Sequence, residues 1–222
     1  MWYNTFRLHF REKGGKMLNS FAECLKGLTD VPLAVIALIL GIILRCNTAV
    51  RRGWSDLLFL IALSALLGIA VHTFAIPRPY LSILWLVLYP ALFELVRLFS
   101  QLIMECVSGD RMKEKCLVRM IELVLCTVAV VLNFMANEAD IFVFALFCFM
   151  LLFRMLACIL RCKGAPGRVT VLLILLTVSL LLLALKYVIP NSVPMSHIIC
   201  TVSLFIIYCM GKDEAKITLG SQ

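Results

Sequence analysis

The chain alternates between long apolar runs and short polar breaks. Seven apolar segments stand out, at about 28–45, 56–76, 80–104, 117–135, 139–161, 169–189 and 196–210. Runs of about 20 apolar residues mark membrane-spanning helices, because a rise of 1.5 Å per residue carries them across a hydrocarbon core of about 30 Å. The last run is short and extends back to Val193 if the first polar turn is included. Backbone groups in lipid find no outside partners, so the pattern predicts an all-α polytopic membrane protein, a seven-transmembrane helical bundle. The organisation that follows is an N-terminal segment 1–27, a transmembrane domain 28–210 and a C-terminal tail 211–222.

Composition supports this reading. Of the 222 residues 63% are hydrophobic, against roughly 45–50% in soluble domains. The first apolar run lacks a small-residue cleavage site and is read as a retained span. The net charge of +8 lies in short loops between spans. It therefore encodes topology and does not form a nucleic-acid-binding stripe. Ten cysteines are scattered singly, with no CxxC pair; free thiols are expected, with no disulfide framework or zinc finger.

The loops predict an orientation. Arg45, Arg51 and Arg52 follow span 1, Arg111, Lys113 and Lys115 follow span 3, and Arg161, Lys163 and Arg168 follow span 5. Lys212 and Lys216 follow span 7, whereas the alternate loops hold Arg78 alone, with Lys186 close by. The positive-inside rule puts the C-terminus in the cytoplasm and the N-terminus outside. Residues 1–16, "MWYNTFRLHFREKGGK", disagree, since they carry Arg7, Arg11, Lys13 and Lys16 on the outer side. Two readings compete. "EKGGKM" is what a purine-rich ribosome-binding site ahead of an ATG encodes in frame, which makes Met17 the native start in a bacterial gene. Alternatively, the segment is a basic amphipathic arm on the membrane surface.

Because direction alternates from span to span, polar residues far apart in sequence converge on the outer side. Asp30 opens span 1 after Glu23 and Thr29, His72 closes span 2, and His197 opens span 7. Asn133, Asn137, Glu138, Asp140, Asn191 and Ser192 lie in the outer loops. Three readings of His72 and His197 stand side by side: polar helix ends at the interface, metal ligands completed by Asp30 or Glu23, or a metal-free proton relay or ligand pair. A zinc site of two histidines and a carboxylate would convert bound water to a nucleophile near neutral pH, with Glu23 or Asp30 as base. Deeper, Glu94 and Arg154 each lie about 14–15 residues from the outer face, or roughly 21 Å down. They form the simplest expected ion pair, with Glu122 at a similar level and Arg97 one turn lower, and they either lock helices together or line a transport path. No G-x-S-x-G elbow, HExxH, Walker loop or Rossmann glycine pattern occurs.

"AECLKGLTD" entering span 1, "GIAVHTF" closing span 2 and "SHIICTVSLFIIYCMG" as the last span resemble an uncharacterised group of bacterial seven-helix proteins. More distantly, the layout is similar to the superfamily of alkaline ceramidases and progestin/adiponectin receptors. That resemblance implies a zinc-dependent hydrolase of a lipid amide or ester in a bacterial cytoplasmic membrane, with His72 matching the span-2 ligand and His197 one span-7 ligand. The chain departs from that pattern at three places: Thr201 stands four residues after His197, and Gly68 four before His72, where those proteins carry histidine and serine, and their span-3 aspartate has no match unless Glu94 serves. A non-enzymatic sensor or lipid-binding protein, or a small transporter, is the alternative.

Overall fold

The computed structural model describes residues 21–48, 50–109, 116–135, 139–162, 167–184 and 192–220. They form seven α-helices: α1 Phe21–Cys46, α2 Arg52–Thr73, α3 Arg78–Ser108, α4 Cys116–Phe134, α5 Ala139–Arg161, α6 Gly167–Ala184 and α7 Ser192–Gly220. Six of them are long and apolar enough to cross a membrane; the described apolar stretch of α6, Gly167–Ser179, is shorter. Large apolar side chains such as Leu123, Phe142, Phe153 and Leu160 stand at least 70% exposed. A soluble surface would not tolerate that many together, and a bilayer covers them. The end carrying Asp30 is termed outer here, after the orientation the basic loops predict.

Two boundaries differ from the sequence expectation. Helix α1 is helical from Phe21 rather than from near residue 28 and continues through Gly27 and Pro32. Helix α7 runs on to Gly220, past the point where hydrophobicity ends. Polar residues continue a helix as readily as apolar ones; hydropathy marks the lipid boundary and not the last hydrogen bond.

Helices α1 and α2 pack antiparallel through small residues. Gly27 faces Thr73 and the Ile69 carbonyl, Gly68 faces Asp30, and Gly41 faces Leu58 and Phe59. In lipid, close backbone approach of this kind replaces the hydrophobic drive that operates in water. Helix α7 lies against α1 and α6. At its inner end Gly211 rests on Trp54, which is fully buried. Helices α4 and α5 pack on each other and on α3.

Helix α3 connects two cores. Its outer half supplies Tyr89 and Phe93 to an aromatic cluster with Phe147 of α5, the Phe93 and Phe147 rings lying 4.8 Å apart. Its inner half supplies Phe99, Leu102, Ile103 and Met104 to the core shared by α1, α2, α5, α6 and α7. With 31 residues, α3 is about 46 Å long, so it overshoots a 30 Å core by about three turns shared between its ends. It stops at Gly109, whose φ of +73° places it in the left-handed region and lets its N–H reach the Glu105 carbonyl.

Candidate functional site

Two polar clusters lie inside the helical bundle. The outer one is built on α1, α2 and α7. Asp30, only 4% exposed, places Oδ1 3.0 Å from His197 Nδ1. The Thr29 hydroxyl donates to the Lys26 carbonyl at 2.8 Å and lies 3.1 Å from the same ring nitrogen. Its single hydrogen is thus committed, so Thr29 accepts from Nδ1. The network assigns the imidazole proton to Nδ1, shared between Thr29 and the Asp30 carboxylate, and leaves Nε2 as the basic nitrogen.

The glycine at 68 has a specific structural role. A Cβ there would sit 2.6 Å from Asp30 Oδ2, closer than nonbonded atoms approach. The glycine thus makes room for a carboxylate, not merely for a helix. His72 is one turn further along α2 on that side and lies within electrostatic reach of His197. Below the pair, the Ser196 and Ser179 hydroxyls meet at 2.6 Å and Cys200 Sγ lies 3.2 Å from Ser179. These contacts satisfy buried polar groups and tie α7 to α6.

Asp30 and His197 thus come together, with His72 beside them. The Glu23 side chain, Asn137, Glu138, Lys186 and Asn191 lie outside the described residues. The other outer-loop polar groups gather elsewhere. Asn133 Nδ2 donates to Asp140 Oδ2 at 2.9 Å, and Arg78 reaches the Asn133 carbonyl at 3.3 Å, all on α3, α4 and α5.

The donor set does not fit a catalytic zinc site among the described residues. Asp30 bonds the nitrogen of His197, which is the role of an orienting partner rather than a ligand. Thr201, standing where a second histidine of α7 would be needed, donates to its own helix at the His197 carbonyl, 2.9 Å away. Among the described residues two histidines remain, one short of the three protein ligands of a catalytic zinc, and the Glu23 side chain lies outside them. No group of three or more His, Cys, Asp or Glu residues is arranged for a metal among the described residues.

The inner cluster is a ladder on one stripe of α3, at positions 94, 97, 101 and 105. Arg97, 4% exposed, clamps Glu94 through two hydrogen bonds of 2.8 and 2.5 Å and lies 3.5 Å from Glu122 of α4. Arg119 of α4 bonds Glu94 at 2.7 Å and approaches Glu122 at 3.4 Å. Gln101 accepts from Arg97 at 3.0 Å and donates to Glu105 at 3.1 Å, and Glu105 pairs with Arg51 ahead of α2. The expected Glu94–Arg154 pair does not form. The two residues are not level: Phe93 stacks on Phe147 and Met104 meets Cys158, so Arg154 stands about six residues, or roughly 9 Å, further along the bundle than Glu94. Arg97 is instead three positions from Glu94 on the same helix, and Arg119 faces it from α4. Arg154 has no ion pair among the described residues. Arg119, Gln101 and Glu105 escaped the sequence reading, although their spacing with 94 and 97 is the i, i+3, i+4 stripe of a helix face.

The sequence signature of the family of unknown function DUF6962 covers residues 25–216, and the chain belongs to that family. No curated protein and no solved structure matches the chain.

Proposed function

We propose that this DUF6962 protein is a proton-responsive integral membrane protein of a bacterial cytoplasmic membrane, with its N-terminus outside and C-terminus inside. Asp30 and His197 form its proton-binding pair. The observation that carries this reading is the 3.0 Å contact of a buried carboxylate with an imidazole across the α1–α7 interface. With Nδ1–H directed at Asp30, a neutral imidazole beside an ionised carboxylate leaves the pair with one negative charge. Uptake of one proton at Nε2 or on the carboxylate cancels that charge, and low dielectric favours the cancelled state. His72 stands between the pair and the outer end of α2, which supports a route for the proton from that side. Because the pair bridges α1 and α7, its charge state biases how these helices sit together, which makes a buried pair of this kind suited to sensing.

The lipid amide or ester hydrolase implied by the seven-helix resemblance draws on the same two histidines and needs a further ligand. One experiment separates the readings. Purified protein in vesicles, stepped in outer pH, takes up one proton per chain in wild type and none in Asp30→Asn, while metal analysis finds no stoichiometric zinc. Bound zinc lost in His72→Ala, together with hydrolysis of a lipid amide or ester, would overturn the proton-responsive reading and establish the hydrolase.

A further inference from the structure

The inner end of α5 carries chemistry unrelated to the outer pair. Cys158 and Cys162 are one helical turn apart, and the Cys162 N–H bonds the Cys158 carbonyl at 3.0 Å, so the helix holds them in register to the end. Residues four apart project over one another, with Cβ atoms about 5–6 Å apart. That spacing lets the two thiols approach each other, and Arg161 precedes Cys162 on the same turn. The Cys158 thiol also touches the Met104 carbonyl of α3 at 3.8 Å. Cys162 is exposed, which gives the pair an entrance, while Cys158 is half-buried. Met104 and Met155 are buried in the core against which Cys158 packs. Arg154 stands one turn before Cys158 on the same stripe, without an ion pair among the described residues.

We propose that Cys158 and Cys162 form a two-thiolate site for a soft monovalent d10 ion, Cu(I) in the first instance. Two-coordinate binding needs no third donor, and thiolate and thioether ligands select Cu(I) over harder ions. Binding breaks two S–H bonds, forms two S–Cu bonds and releases two protons to solvent, with no change of oxidation state. The product carries one negative charge, which Arg154 and Arg161 offset. On the orientation predicted from the loops, this end faces the cytoplasm, where thiols stay reduced.

The test uses full-length protein in detergent, titrated anaerobically with Cu(I) in competition with bicinchoninate. Wild type should withdraw one Cu(I) per chain that Cys158→Ser and Cys162→Ser each lose, with affinity reduced about tenfold or more, whereas Cys46→Ser and Cys116→Ser leave it unchanged. Gel filtration checks that each variant remains folded. If Cys158→Ser fails that check, exposed Cys162→Ser carries the comparison. Phenylarsine oxide, which bridges neighbouring thiols, gives the second readout: an adduct stable to excess monothiol in wild type and absent in Cys162→Ser. Equal Cu(I) affinity in wild type and Cys162→Ser, or an equal loss in Cys116→Ser, would overturn the proposal.

Discussion

The outer pair and the inner ladder are both ionisable clusters inside an apolar bundle, yet they are built on different principles. In the ladder, three carboxylates, Glu94, Glu105 and Glu122, face three guanidiniums, Arg51, Arg97 and Arg119, so the charges cancel when all are ionised. Arginine stays protonated at every accessible pH, so the cationic half of this balance is constant. The outer pair sets Asp30 against His197, a partner that, unlike arginine, can be uncharged and then leaves the carboxylate's charge unbalanced. A cluster balanced by arginines is suited to clamping helices; an unbalanced carboxylate–imidazole pair is suited to taking up a proton. This difference, more than burial or depth, separates the ladder from the proposed proton site.

Breaking the clamp should cost most. Arg97→Met strands Glu94 and buried Glu122, and removing one partner from a buried ionic network costs about 3–5 kcal/mol. Thermal unfolding in detergent should show a large loss, with proton uptake by the remaining folded protein unchanged. Gly68→Ala comes next, because its methyl group must displace Asp30; overpacking of this kind costs about 1–3 kcal/mol. Unlike Arg97→Met it should also alter the His197 ring resonances in NMR spectra. Thr29→Val removes one hydrogen bond to His197, for about 1 kcal/mol, and should shift the pH of proton uptake without abolishing it. Asp56→Asn breaks the half-exposed pair with Arg45, 3.0 Å apart, and should change stability by no more than about 0.5 kcal/mol. A cost for Asp56→Asn comparable to that of Arg97→Met would erase the distinction between clamp and surface charge.

The fold was legible to the extent that lipid dictates it. Hydropathy located every helix because each must satisfy its backbone internally, and alternation of direction brought Asp30, His72 and His197 to one end. Hydropathy carries no rotation, however. Counting from uncertain helix ends put Glu94 and Arg154 at one level, whereas α3 and α5 pack with residue 93 beside 147 and 104 beside 158, and hydropathy did not show which residues share the α3 stripe at 94, 97, 101 and 105. The same limit joined Asn133 and Asp140 to the outer site, when they form a separate cluster on α3–α5. Gly68 shows the reverse case. The sequence marked it as a departure from the hydrolase pattern, and the geometry supplies the reason: the Asp30 carboxylate occupies that space.

The most direct test of the central claim is an infrared pH titration of the protein in lipid vesicles, following the carboxylic-acid C=O stretch in wild type, Asp30→Asn and Glu122→Gln. The account predicts a band that titrates in wild type and Glu122→Gln and is absent in Asp30→Asn. A band that survives Asp30→Asn and vanishes in Glu122→Gln would place the proton site in the ladder and contradict it.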